Sequence, residues 1–262
     1  MFEIVAYEGR RRIRGTIALV VALGLFAALY IGLFPSVSAG FDFEQYAESL
    51  PPAIRNAFGI TALGTIEGYL STQLYRFVWT ILLGLYFAYA AGSLIAGDIE
   101  RDRLELLLAT PVSRARVVVE KFCALLVPLL GLSAAAPVMV YAMTVLIDDP
   151  VPLADLVTVT LLAIPYLLAC AAVGLLLSVL VSRADLAQRG AMAVVFGLFT
   201  LDSVVADTDV EWLGRVSPTH YFDPSAVLVE GEVPLADPLV LLAATAALLA
   251  LSALWFRRRD VP

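Results

Sequence analysis

Apolar residues fall in long, charge-free runs separated by short clusters of arginine and acid. Gly15–Phe34, Phe77–Gly97, Phe122–Ile147, Leu156–Ser182 and Pro238–Phe256 each lack a charge. A hydrocarbon core about 30 Å thick is crossed by roughly 20 helical residues, and every one of these runs suffices. A shorter run, Gly190–Leu201, reaches that length once Asp202 and Ser203 to Ala206 are added. The pattern predicts an all-α integral membrane protein. Six transmembrane helices are expected, at about residues 15–34, 76–97, 119–147, 156–182, 190–206 and 238–256, in one transmembrane domain covering 1–262. Pro128, Pro137 and Pro165 lie inside spans, where neighbouring helices satisfy the backbone groups that proline frees.

Between the runs the chain predicts smaller elements. Residues 2–14 set Phe2, Val5, Ala6, Gly9 and Ile13 on one face, which reads as an N-terminal interfacial helix. Pro51-Pro52 opens and Gly59 closes a short helix in the loop after the first span. Ser217-Pro218 and Asp223-Pro224 start turns between spans 5 and 6, and a short outer helix from Pro224 to Glu230 ends at Gly231. Asp98, Arg101, Asp102 and Glu105 make one polar face at i, i+3, i+4, i+7. Leu104, Leu107 and Leu108 face the other way, and Pro111 ends the helix before Ser113 can cap the next. This amphipathic helix between spans 2 and 3 suits either the membrane interface or the groove of a soluble partner.

Composition agrees with the pattern. Of the 262 residues 61% are hydrophobic, and the mean hydropathy is +0.89, more than a water-soluble core hides. The net charge is −7, which leaves no basic footprint for nucleic acid. Threading six spans places 14 of the 17 basic residues on the face shared by both termini, among them Arg10–Arg14, Lys121 and Arg257–Arg259. Arg55, Arg76 and Arg215 take the other face. Cytoplasmic loops carry the excess of arginine and lysine, so both termini are expected in the cytoplasm and the chain in the plasma membrane. Val37-Ser38-Ala39 has the look of a signal cleavage site, but the apolar stretch before it is longer than a signal h-region and is expected to remain as a span. Cys123 and Cys170 sit in apolar runs and read as small hydrophobes rather than as a metal site.

Candidate chemistry is sparse. The single lysine, Lys121, follows six residues without glycine, so these 262 residues hold no Walker A loop. One histidine, His220, excludes two-histidine zinc motifs, and no Gly-x-Ser-x-Gly elbow occurs. Asp98 and Asp102 form a carboxylate pair of the kind that holds Mg²⁺ and diphosphate in membrane transferases, although no second acid-rich motif accompanies it. Asp202 is an acid within a span and either serves a transport route or reaches the outer interface. Tyr141 and Tyr166, with Ser133 and Thr144, are polar groups that line a cavity or bond between helices. Tyr75, Trp79, Trp212 and Trp255 near span ends suit an aromatic belt.

Residues 97–116 read GDIERDRLELLLATPVSRAR. With Glu100, Leu104, Glu105, Leu106, Leu107, Pro111, Val112, Ser113, Arg114 and the later Lys121, this stretch resembles the first cytoplasmic loop of type-2 ATP-binding-cassette (ABC) exporter permeases; Arg103 stands near the usual glycine. Ser217-Pro218-Thr219-His220-Tyr221 resembles that family's Ser-Pro-x-x-Tyr segment, and Phe256-Arg257-Arg258-Arg259-Asp260 its ending. The resemblance implies a coupling helix over Asp98–Pro111 that docks on an ATPase through Asp98, Glu100, Arg101, Leu104, Glu105, Leu107, Leu108, Pro111, Ser113 and Arg114. It implies a transporter subunit rather than an enzyme, paired with a second permease subunit as homo- or heterodimer and with two copies of an ABC ATPase. ATP and Mg²⁺ would be used by that partner, with no cofactor or metal on this chain. An intramembrane transferase using Asp98 and Asp102, or a non-transporting membrane assembly factor, are the alternatives.

Overall fold

A computed structural model describes residues 3–40, 49–51, 54–55, 62, 64–101, 113–206 and 208–258. The described residues are helical and contain no strand. Six helices are long and apolar enough to cross a membrane: Tyr7–Gly40, Ile66–Ile99, Arg114–Leu146, Leu153–Leu180, Ala184–Val205 and Ala236–Arg258. They are called spans 1 to 6 in that order. The coupling-helix residues Leu104, Glu105, Leu107, Leu108 and Pro111, together with Asp102, lie outside the described residues, as does most of the short helix expected after Pro51.

Span 4 is the hub. It packs against spans 2, 3, 5 and 6, while span 1 leans mainly on span 3. The apolar windows of spans 2 and 4 are 67% and 61% buried, against 22% for spans 1 and 6, so the first pair forms the centre and the others face outward. On span 1, Ile17, Val21, Leu25, Leu29 and Leu33 recur every four residues and are all exposed. An exposed apolar stripe of this kind suits lipid, since apolar side chains gain nothing by leaving it.

Close approach at the centre depends on small residues. A Cβ on Gly174 of span 4 would run into the carbonyl oxygen of Ala88 on span 2, and one on Gly92 would come within 2.9 Å of the Gln188 Cα on span 5. Gly84, Ala88 and Gly92 thus make a small-residue stripe at i, i+4, i+8 that brings three backbones together.

Two spans are interrupted, and the interruptions are satisfied. Span 2 is wound as a π-helix over Ser71–Leu83, returns to an α-helix at Gly84–Gly92, breaks at Ser93–Ile95 and resumes at Ala96–Ile99. At the break the amides of Ile95 and Ala96 donate to the Ser178 hydroxyl oxygen of span 4, at 2.9 and 3.0 Å. Higher up, the Thr80 carbonyl accepts the Tyr166 hydroxyl at 2.8 Å. Freed backbone groups at membrane depth need such partners. Span 3 breaks at Ala124–Leu125 because Pro128 has no amide for the Ala124 carbonyl, which instead accepts from Val127 at 3.4 Å.

Three features depart from the sequence-based expectation. Residues 3–14 are not a separate interfacial helix: Glu3–Gly40 is one helix of 38 residues, about 57 Å long at 1.5 Å per residue. Tyr75 and Trp79 are not belt residues but are fully buried in the core, whereas Trp212 and Trp255 are exposed. Span 2 begins eleven residues earlier than its charge-free run and carries Arg76 inside it. That arginine is tolerated because its guanidinium donates to the Phe222 carbonyl at 3.4 Å.

The connection between spans 5 and 6 forms three short helices, Glu211–Val216, Pro218–Tyr221 and Pro224–Leu228. Ser217 and Asp223 cap the second and third, accepting from Thr219 at 3.2 Å and Ser225 at 2.9 Å. Gly231 follows with φ +71°, the left-handed turn that suits glycine. This segment is sunk into the bundle. The Phe222 ring stacks on Tyr166 at 5.6 Å, and the Ser225 hydroxyl meets that of Ser71 at 2.8 Å.

Candidate functional site

At the arginine-rich end, Asp98 closes span 2, Lys121 lies near the start of span 3 and Glu8 near the start of span 1. Lys121 Nζ is 2.5 Å from Asp98 Oδ2 and 3.3 Å from Glu8 Oε1. Only 3% of the lysine side chain is exposed. An ammonium enclosed to that degree is tenable only with carboxylates against it. The partner of Asp98 Oδ2 is this ion pair, at 2.5 Å. Asp98 is therefore engaged with Lys121, and Asp102, its partner in the transferase reading, lies outside the described residues.

Next to this triad Glu100 reaches across to span 5. Its Oε2 accepts the Ala184 amide at 3.0 Å, so the first turn of span 5 is capped from the end of span 2 rather than by its own neighbour. An acid at a helix N-terminus satisfies an orphan amide and opposes the positive end of the helix dipole. Arg101 is exposed.

The other end of the undescribed stretch 102–112 is equally fixed. Ser113 caps span 3 by accepting the Arg116 amide at 3.3 Å. The Arg114 guanidinium lies 5.7 Å from the centre of the Phe256 ring and donates to the Phe256 carbonyl at 3.4 Å, which ties span 3 to span 6. Arg116 and Glu120 add a 2.5 Å pair one turn apart. Asp98, Glu100, Ser113 and Arg114, four of the residues singled out in the sequence, thus bracket the segment and moor it to spans 1, 3, 5 and 6. Sequence reasoning named Lys121 and Phe256 only as parts of family-like segments, and missed Glu8 and Ala184 as mooring partners. Lys121 stands just before the charge-free run of span 3 and Asp98 just after that of span 2, which was the available signal.

Asp202 occupies the opposite end. Its Oδ1 is 3.2 Å from His220 Nδ1, joining span 5 to the sunken connection. Gly214 presses on the pair, since a Cβ there would lie 2.7 Å from Asp202 Oδ1. Arg76 and Glu211 are within electrostatic reach. The two tyrosines are not together with it. Tyr141 is 39% exposed on the outside of span 3, and Tyr166 is buried in the core with its hydroxyl committed to Thr80. Both cysteines are free, Cys170 buried and Cys123 half-buried.

The class defined by these features is a six-span helical membrane protein in which residues flanking segment 102–112 are tied to several spans at one end and a connection packs into the bundle at the other. The sequence model of the family described as ABC-2 family transporter protein matches residues 4–261, and the chain belongs to that family. It is a membrane permease component of an ABC transporter. No curated protein matches the chain.

Proposed function

We propose that the chain is the membrane half of an ATP-driven exporter. ATP is hydrolysed by a separate ABC ATPase, two copies of which serve two permease subunits. Residues 98–114 are the element that receives the ATPase, and the arginine-rich end with both termini faces the cytoplasm. The observation that supports this reading most is the bracketing of residues 102–112. A loop fixed at one end by Asp98 and Glu100, and at the other by Ser113 and Arg114, transmits a push to spans 1, 3, 5 and 6 at once. A loosely tethered loop would absorb it.

The test is copurification with a candidate ATPase and measurement of its activity with and without this subunit. Leu107→Asp places a carboxylate on the apolar face of the loop, where burying it unpaired costs more than the about 1.5–3 kcal/mol of a lost leucine. Docking or ATPase stimulation is expected to fall at least tenfold while the protein still inserts, because no span is touched. Full activity of Leu107→Asp overturns the coupling assignment. Cysteine labelling gives the orientation: Gly40, Pro152 and Gly231 are expected outside, and Ala115 and Ala187 inside.

A further inference from the structure

Six charged side chains line a cavity of about 270 Å³ between spans 1, 2 and 3 at the arginine-rich end: Glu8, Arg11, Arg12, Asp98, Arg101 and Lys121. Four are cations and two are carboxylates, and both carboxylates are already directed at Lys121. Among the described residues, Arg11, Arg12 and Arg101 therefore face the cavity with no carboxylate of their own. Arg12 Nε is buried there and has no hydrogen-bond partner among the described residues. A buried donor without an acceptor is costly, and its presence in a cationic cavity points to an acceptor that arrives from outside the chain.

We propose that this cavity binds a phosphate group. Guanidinium forks match phosphate oxygens in pairs, which a compact ammonium does not, and here the ammonium is the cation already neutralised. The volume corresponds to about nine waters at roughly 30 Å³ each, room for a phosphate and the atoms esterified to it. Depth selects between the sources. Lys121 precedes the charge-free run that starts at Phe122, Asp98 follows the run that ends at Gly97, and Arg11 and Arg12 stand just before Gly15. All lie at the border of the apolar zone, where phospholipid headgroups sit and where basic pockets between helices take anionic ones. The phosphate of an anionic phospholipid fits that depth, and a soluble phosphorylated molecule shares the chemistry. A bound phosphate would join Arg11 and Arg12 on span 1 to Arg101 at the entrance of the segment 102–112. The site stands on membrane placement and charge alone, whatever direction the transporter runs.

Thermal unfolding of the full chain in detergent tests it, with added phosphatidylglycerol, phosphatidylcholine or inorganic phosphate at ionic strength matched by sodium chloride. Phosphatidylglycerol is expected to raise the midpoint at least twofold more than phosphatidylcholine does. The extra shift should vanish in Arg11→Gln/Arg12→Gln/Arg101→Gln and persist in Arg10→Gln/Arg14→Gln, which removes charge from the same helix outside the cavity. If the triple variant does not fold, Arg101→Gln, at an exposed position, should by itself reduce the extra shift. A shift with inorganic phosphate that the cavity variants abolish identifies a soluble phosphate as the occupant and also supports the site. A lipid shift unchanged in the cavity variants, or lost equally in Arg10→Gln/Arg14→Gln, overturns it.

Discussion

The two ends of the bundle solve the problem of charge near lipid in opposite ways. At the arginine-rich end a lysine with 3% exposure is held by two acids from two other spans, and a third acid caps a fourth helix. At the other end one acid faces one histidine across a single contact, and both belong to neighbouring elements in sequence. Charges at the first end knit distant helices, so their loss should be felt as stability and coupling. Charge at the second end fastens a connection that apolar contacts such as Phe222 on Tyr166 already hold. The difference teaches that an ionisable group at a membrane border is judged by the number of elements meeting on it, not by its presence.

The largest effect should come from Lys121→Met. It takes from Asp98 the ammonium in direct contact with it, and removing one partner of a buried pair costs about 3–5 kcal/mol. Thermal unfolding in detergent should show a large fall in midpoint and reduced yield. Adding Asp98→Asn should recover at least half of the loss, since a neutral pair of similar volume avoids the stranded charge. If Lys121→Met is as stable as the parent, the triad is not what joins spans 1, 2 and 3, and the contrast between the ends disappears.

Glu100→Ala comes next. It removes the acceptor for the Ala184 amide, a capping contact worth about 1 kcal/mol. Amide hydrogen exchange in the first turn of span 5 should accelerate several-fold, with the rest of that helix unchanged. Glu100→Gln, which keeps an oxygen at the same place, should fall between the two. Equal exchange in all three proteins would mean that span 5 is capped by other means.

Much of this architecture was legible in the pattern of apolar runs. The six spans could be counted because lipid demands about 20 apolar residues whatever the fold. Weak span 5 was counted because a chain of five spans would strand Arg257–Arg259 on the arginine-poor side. Span 2 was misjudged at its start because Arg76 breaks the run, and only the fold shows the Phe222 carbonyl that receives its guanidinium. Tyr75 and Trp79 read as belt residues because position along a span says nothing about which side faces the protein. The bracketing of residues 102–112 was half legible. Ser113 was legible as a local cap, but the partners of Asp98, Glu100 and Arg114 are contributed by other helices, and no local period encodes such pairings.

The smallest effect is expected at Asp202. Asn has the same shape and keeps an oxygen for His220 Nδ1, so Asp202→Asn loses only charge, in a place where the connection is also held by Phe222 and Ser225. Insertion, stability and ATPase association should be unchanged, and transport should change by less than tenfold. Gly214→Ala is the sharper challenge to the same contact, because its Cβ would lie 2.7 Å from Asp202 Oδ1 and push span 5 and the connection apart. Overpacking of that kind costs about 1–3 kcal/mol. If the contact is a fastening, Gly214→Ala should therefore harm stability more than Asp202→Asn does. The reverse ranking, with Asp202→Asn folded and assembled but inactive in transport, would place the carboxylate on the transport route. Both ends of the molecule would then hold a charge that works, and the lone acid would have been read too modestly from the number of its partners.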